Sequence, residues 1–329
     1  METKKFSRRQ ALQATAILGT ALLLPVQHSE ARPLPLGNTP ALTPDEIAAI
    51  ETALGKKGSY KEAESLHTTA LPRNDLKMMI KGASIPIPFG FGGWVSFKKS
   101  IDGKTAMVMG DTVLLQEEVN PMISAAQENG LEISAIHNHF FYEEPRIFYM
   151  HIQGMGSIAE LAKRYADTIR DSKVFPANQP APSAPSAITG KENFDIAVLD
   201  AIVKYTGTVN GPTYKYTIGR SDLKVMMMGV EMTTNIGLNT WASFAGKQDD
   251  AQIAGDIAML PGEVNGVIKT LRQHDLEVVA VHSHMLNDDP HIIFLHYYGR
   301  GKAADLAQGF RAALDVLGKK PDRMGGMKM

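Results

Sequence analysis

The chain contains no cysteine. That excludes disulfides, a thiolate metal site, a cysteine nucleophile and a lipid-modified cysteine, so any metal must be held by nitrogen and oxygen. An excess of charge of one sign is missing too, since 34 Lys and Arg stand against 35 Asp and Glu, a formal net charge of -1. Nothing in that balance favours a phosphate backbone or an anionic lipid surface, and nucleic acid is not an expected partner. After the first 31 residues no apolar run is long enough to span a membrane. A serine-nucleophile motif, a P-loop and a dinucleotide fingerprint are likewise absent from any suitable context.

What is present begins with an N-terminal targeting pattern. Lys4, Lys5, Arg8 and Arg9 precede an apolar stretch from Ala11 to Val26, interrupted by Gln13, Thr15, Gly19 and Thr20. The run Phe6-Ser7-Arg8-Arg9-Gln10-Ala11-Leu12 resembles a twin-arginine signal, which sends folded proteins across the bacterial inner membrane. Ser29 and Ala31 suit the -3 and -1 positions of a cleavage site. Residues 1–31 are therefore predicted to be a signal peptide, and the mature protein is predicted to be periplasmic with no membrane contact.

The remainder repeats itself. Gly110-Asp111 recurs as Gly255-Asp256, Glu118-Val119-Asn120 as Glu263-Val264-Asn265, and Leu131-Glu132 as Leu276-Glu277. Upstream, Trp94 recurs as Trp241 and Asp75-Leu76-Lys77 as Asp222-Leu223-Lys224. A period of this kind marks a duplicated structural unit. The copies run over 44–172 and 194–318. The segment between them, 173–193, is rich in Pro, Ala and Ser and reads as a semi-extended linker.

Within the first copy, apolar spacing predicts helices over 44–54, 117–129 and 157–169, with Gly130 ending the second at its C′ position. Short β-branched or apolar runs predict strands over 76–80, 93–97, 105–115, 131–139 and 146–152. In the second copy helices are predicted over 194–204 and 261–275. The fold class expected is α+β: two tandem copies of one domain, each a mostly antiparallel sheet with packed helices.

The chemistry gathers in the late hairpin of each copy. The first reads His137-Asn138-His139-Phe140-Phe141-Tyr142-Glu143-Glu144-Pro145-Arg146 and continues to His151. The second reads His282-Ser283-His284-Met285-Leu286-Asn287-Asp288-Asp289-Pro290-His291 and continues to His296. Six of the ten histidines occupy these matched positions. Residues i and i+2 of a strand share a face, and a return strand can bring the third histidine beside them. His137, His139 and His151, and likewise His282, His284 and His296, are therefore candidate metal ligands, three imidazoles to a copy. Such a set suits zinc first, with iron, copper or nickel as alternatives. Glu144 and Asp289 are the candidate catalytic carboxylates, with Glu143 and Asp288 beside them. Histidines that only hydrogen-bond in a core are the competing reading.

Weaker features remain. Gly90, Gly92 and Gly93 read as a loop over a pocket or a plain strand connection. Gly154 and Gly156, matched by Gly299 and Gly301, stand before a helix and offer backbone N–H groups to an anion or simply a turn. Met226, Met227 and Met228 read as core.

The hairpin His137-Asn138-His139, Glu144-Pro145-Arg146-Ile147-Phe148-Tyr149-Met150-His151, in tandem duplication, resembles the exported bacterial proteins typified by the mycobacterial LppY and LpqO lipoproteins. No activity follows from that resemblance, and the lipid-bearing cysteine of those relatives is missing here. The pattern is more distantly similar to acetolactate decarboxylase, in which a His-x-His and a third histidine hold zinc; the glycine pair before its last histidine is missing from this chain. Three functional classes follow: a periplasmic metalloenzyme of hydrolase or lyase type acting on a small molecule, a non-catalytic metal-binding protein, or a structural protein with core histidines. The first demands an open ligand position inside a pocket.

Overall fold

The computed structural model describes residues 39–181 and 188–318; the signal segment, residues 182–187 of the linker and the Met324, Met327 and Met329 tail lie outside the described residues. Each copy is built on a six-stranded antiparallel sheet. In the first copy its strands run, edge to edge, Ser59–Lys61, Leu66–Pro72, Gly92–Lys99, Ala106–Leu115, Ile147–Gly156 and Glu132–His137. In the second they run Thr208–Asn210, Thr213–Gly219, Asn239–Lys247, Asp250–Met259, Ile293–Gly301 and Glu277–His282. A three-stranded sheet accompanies each: Ala83–Ile85, Met78–Ile80 and Glu143–Glu144, and Val230–Met232, Val225–Met227 and Asp288–Asp289. The α+β class expected from sequence is the class observed, with the same order of elements in both halves.

Helices cover one face of each large sheet. In the first copy they are Pro44–Leu54, Gln116–Glu128 and Ile158–Ile169, and in the second Ile196–Val203, Val264–Gln273 and Ala303–Leu314. Local chemistry sets their ends. Thr43 caps the first through a reciprocal contact with Glu46, Pro44 sits at its first turn, and Gly55 closes it at φ 63°. Ser157 and Glu160 form the same box on Ile158–Ile169. Val264–Gln273 begins later than expected because Pro261 stays in the preceding turn, while the Glu263 carboxylate accepts from the Leu260 amide at 2.7 Å. The strands Leu66–Pro72 and Thr213–Gly219 escape prediction, since their threonines, lysine and histidine blur the two-residue alternation that marks a strand.

The other face of each sheet turns toward the opposite copy. One apolar cluster joins Met107 and Met109 of the first copy to Val225, Met227, Val230, Met285 and Phe294 of the second. Another joins Phe89, Phe140 and Tyr149 of the first to Ala245, Ala254 and Tyr298 of the second. Each small sheet thus contributes to a core shared between copies, and the layers run helix, sheet, sheet, helix. This explains why Ala106–Leu115 is buried along nearly its whole length. A strand covered on both faces reads as continuous apolar sequence. Of the three methionines expected in the core only Met227 belongs to it; Met226 is half-buried and Met228, at a positive-φ turn position, is exposed.

A buried arginine repeats in both halves. Arg73 pairs with Asp75 and Glu118 and donates to the Val113 carbonyl at 2.7 Å. Arg220 pairs with Asp222 and Glu263 and donates to the Ala258 carbonyl at 2.7 Å. Each ties the end of a central strand to the helix that follows it. Arg220→Met leaves Glu263 buried and uncompensated, and is expected to destabilise by about 3–5 kcal/mol, read as a lowered urea midpoint.

Candidate metal centre

The six hairpin histidines meet between the sheets, and a backbone irregularity aims them there. Ile133 pairs with Ile152, whose side chain belongs to the helix-side core. After a register shift at Ser134, Ala135 pairs with His151 and His137 with Tyr149. Passing over one residue reverses which face the strand presents, so His137 turns inward where strict alternation from Ile133 would send it toward the helices. The second copy repeats the device: Val278 pairs with Tyr297, then Ala280 with His296 and His282 with Phe294. The Ser134 hydroxyl donates across the interface to the His284 carbonyl at 2.6 Å.

The contacts obey a two-fold relation. Rings of His137 and His282, at equivalent positions, lie 3.8 Å apart between centroids. His139 meets His296 at 3.7 Å and, reciprocally, His284 meets His151 at 4.0 Å. His139 stacks on Tyr149 and His284 on Phe294. Three sets of ligand atoms each lie within 4.8 Å of one another: His137, His151, His282 and His284; Asp256, His282, His284 and His296; and His137, His139 and His296. The second copy's three histidines do gather, joined by Asp256. Those of the first copy are divided between sets that borrow from the second. The expectation of one separate cluster per copy is thus corrected to a single composite cluster, because the two sheets face each other instead of standing apart.

Two carboxylates complete it. Asp111 is the register partner of His151 and Asp256 that of His296, and cross-strand partners point to the same face. Asp256 Oδ2 lies 3.2 Å from His284 Nε2 and 3.8 Å from His296 Nε2, and Asp111 Oδ1 lies 4.0 Å from His151 Nε2. Neither aspartate was singled out as a ligand from sequence. The signal was there: an acidic residue in the middle of an apolar strand, against β propensity, repeated as Gly110-Asp111 and Gly255-Asp256. Gly255 also has a steric role, since a Cβ there would stand 2.2 Å from the Trp241 carbonyl oxygen.

Glu144 and Asp289 are placed elsewhere. Both are exposed, on two-residue strands paired with Met79 and Met226, and neither belongs to any of the three sets. Their neighbours shape the hairpin. Glu143 accepts from the Ile147 amide and lies 3.6 Å from Arg146; Asp288 accepts from the Ile292 amide at 2.6 Å and pairs with His291 at 2.9 Å. The acidic pair brackets the turn, which the sequence pattern does not distinguish from a catalytic role. Gly154 and Gly299 lie within strands, where a Cβ would stand 2.6 Å from Leu131 and 2.4 Å from Leu276, so close packing accounts for them.

The cluster has more polar atoms than partners. Both ring nitrogens of His139, His282 and His284, Nε2 of His296, and one carboxylate oxygen each of Asp111 and Asp256 are buried without a hydrogen bond among the described residues. Buried polar groups are almost always satisfied, so a concentration of orphaned nitrogen and oxygen atoms fits a cation. Five of the imidazoles, those of His137, His139, His151, His282 and His296, are held neutral, as ligation requires. Burial first, and then the other imidazoles, push His139, His151 and His296 far below the usual histidine range, and burial with His284 brings His137 to about 3. His296 Nδ1 lies 3.0 Å from the Gly255 carbonyl oxygen; donating there leaves its Nε2 lone pair for the cluster. Burial and the neighbouring Asp256 raise the Asp111 carboxyl.

A cavity of about 350 Å³ reaches the cluster, lined by His139, His151, His284, His296, both aspartates and both tryptophans of the chain. Gly90, Gly92 and Gly93 also line it.

One family model matches residues 48–171 and again 197–316, taking in both copies and every residue of the cluster. The chain belongs to the family described as Domain of Unknown Function (DUF1259). No curated protein matches it. Among solved structures it is similar to the fused permuted hexameric shell protein MSM0275 from the RMM microcompartment, at 12% identity over 84% of this chain and 92% of that one, with a TM-score of 0.18. It is also similar to EtuB from Clostridium kluyveri, at 7% identity over 69% of this chain and 87% of that one, again with a TM-score of 0.18. Likeness at that level carries no argument.

Proposed function

We propose that this protein is a periplasmic metalloenzyme of hydrolase or lyase type, whose two repeats jointly hold one centre of one or two divalent ions. The observation that carries the reading is the cluster of six imidazoles and two carboxylates, rich in orphaned buried atoms, at the wall of a cavity. A non-catalytic carrier needs no substrate space; the cavity favours turnover of a small molecule. The nitrogen and oxygen donor set suits zinc first, with iron, copper or nickel as alternatives. A divalent ion held there supplies Lewis-acid chemistry, polarising a substrate oxygen or acidifying a water. Asp111 and Asp256 are the carboxylates placed to take or return the proton; Glu144 and Asp289, exposed on the hairpin, are not so placed.

The twin-arginine pattern at Arg8 and Arg9 supports export of the folded, loaded protein, and the resemblance to LppY/LpqO-type proteins supports the same compartment. The more distant resemblance to acetolactate decarboxylase supports a histidine-held zinc. Balanced charge supports a small-molecule partner over nucleic acid, and among the described residues no helix is long and apolar enough to cross a membrane. The test is elemental analysis of protein purified from periplasm without chelator, together with reloading of the stripped protein. One to two equivalents of a divalent metal are expected. Protein that emerges metal-free and takes up no ion overturns the reading.

A further inference from the structure

The cavity wall departs from the two-fold relation at several positions, with Ala70 matched by Thr217, Pro88 by Asn235 and Gly92 by Asn239, but at only one of them does the departure introduce a charge. Lys215 of the second copy lines it opposite Thr68, its counterpart in the first. In the first copy the position is closed, because the Thr68 and Ser96 hydroxyls hydrogen-bond to each other at 2.7 Å. In the second it is open. The Lys215 ammonium lies 4.5 Å from the centroid of the Trp241 ring and, among the described residues, makes no hydrogen bond and no ion pair within 4 Å. It is the only lysine or arginine among the residues lining the cavity.

We infer that Lys215 anchors the substrate of this centre, a small organic monocarboxylate, and fixes its orientation as the one cationic departure from the pocket's two-fold relation. The inference rests on the metalloenzyme reading for what happens at the ligand's other end. An ammonium without a protein partner, held over an indole, is a binding group for an anion. Lys215 stands among the very groups that would hold the metal, so one end of a ligand can pair with it while the other reaches the ion.

Charge and size choose the anion. With one divalent ion bound, one lysine and two ionised aspartates leave one net positive charge in the pocket, which matches a monoanion. A phosphoryl dianion would exceed that single net positive charge, and no arginine fork lines the wall. A cavity of about 350 Å³ holds a ligand of roughly a dozen non-hydrogen atoms, taking about 30 Å³ for each water-sized group. Trp94 and Trp241, register partners of Asp111 and Asp256, supply flat apolar walls from the two copies. Asn210, Asn235 and Asn239 add polar contacts on the lining.

Symmetry gives the lysine its consequence. With Thr at both positions no charge would distinguish the two ends of the pocket for an anion, and either aspartate could meet either end of the ligand. One ammonium on one side removes the degeneracy, so Asp111 and Asp256 take distinct roles.

The test is calorimetric titration of the mature protein with acetate, lactate and benzoate, and with lactamide as the uncharged counterpart. It compares wild type with Lys215→Thr, which installs the residue the first copy already carries at the matched position, and with Lys215→Arg. Metal content is measured on the same samples. Wild type is expected to bind at least one carboxylate, and lactamide about tenfold more weakly than lactate. Lys215→Thr is expected to lose about tenfold or more for carboxylates only, with metal content unchanged, and Lys215→Arg to recover part of the loss. Carboxylate affinity unaltered by Lys215→Thr, lactamide binding as tight as lactate, or no binding of any carboxylate to wild type overturns the inference even where metal is present. Lysine-dependent binding to a protein that holds no metal sustains the anchor and removes the metal reading instead.

Discussion

His137→Ala and His282→Ala are each expected to weaken metal binding by the whole protein, not by half of it. Both residues sit at the junction of the copies, their rings 3.8 Å apart, and each belongs to two of the three ligand sets. Loss of groups that merely orient a ligand typically costs 10–100-fold in metal affinity, so loss of a ligand itself is expected to cost roughly 100-fold or more. The double variant should fall short of the product of the two single losses, because the two histidines serve the same ions. His139→Ala and His151→Ala, each a member of one set, should cost less. Competition titration of the stripped protein with zinc and a coloured chelator reads these differences. If each single variant retained half of the metal at unchanged affinity, the copies would be independent sites and the composite centre would be wrong.

Acid is expected to unfold the metal-free protein steeply. Burial, followed by the neighbouring imidazoles, holds His137, His139, His151, His282 and His296 below the ordinary histidine range, His137 at about 3. Below pH about 6.5 the unfolded chain takes up protons that the folded one refuses, so the stability these neutral imidazoles carry is complete above that pH. It is lost as pH falls toward 3. Asp111 acts in the opposite sense, since its raised carboxyl keeps a proton in the fold that the unfolded chain releases. Five histidines less one carboxyl leave about four protons, a slope on the order of 5 kcal/mol per pH unit. Over two pH units that amounts to about 10 kcal/mol, comparable to the whole stability of an ordinary domain. Loading with a divalent ion should postpone the transition, because bound metal competes with protons for the same nitrogens. Thermal denaturation from pH 7.5 to 4.5, with and without zinc, checks both parts. A flat profile for the metal-free protein would falsify the buried, neutral state of the cluster.

Much of this was legible in the sequence. The duplication is written in matched dipeptides such as Gly110-Asp111 and Gly255-Asp256, because a repeat is a property of the chain alone. The helix ends follow from Thr43, Pro44, Ser157 and Gly130, whose preferences are local. The six histidines stand out as candidate ligands by spacing and recurrence, and the absence of cysteine limits any donor chemistry to nitrogen and oxygen.

The identity of the acidic partners did not follow in the same way. Glu144 and Asp289 are near the histidines along the chain, while Asp111 and Asp256 are near them across a strand pairing, which single-sequence spacing does not report. The inward aim of His137 and His282 depends on a one-residue shift at Ser134 and Val279, and such shifts are set by what each face of the sheet must bury. That two triads form one centre was decided by the packing of Met107 and Met109 on the opposite copy's small sheet, and of Ala254 and Tyr298 on the first. Sequence determined the parts and their chemistry, because those are local. The tertiary structure decided their company, because burying the free face of each sheet is possible only against the other copy.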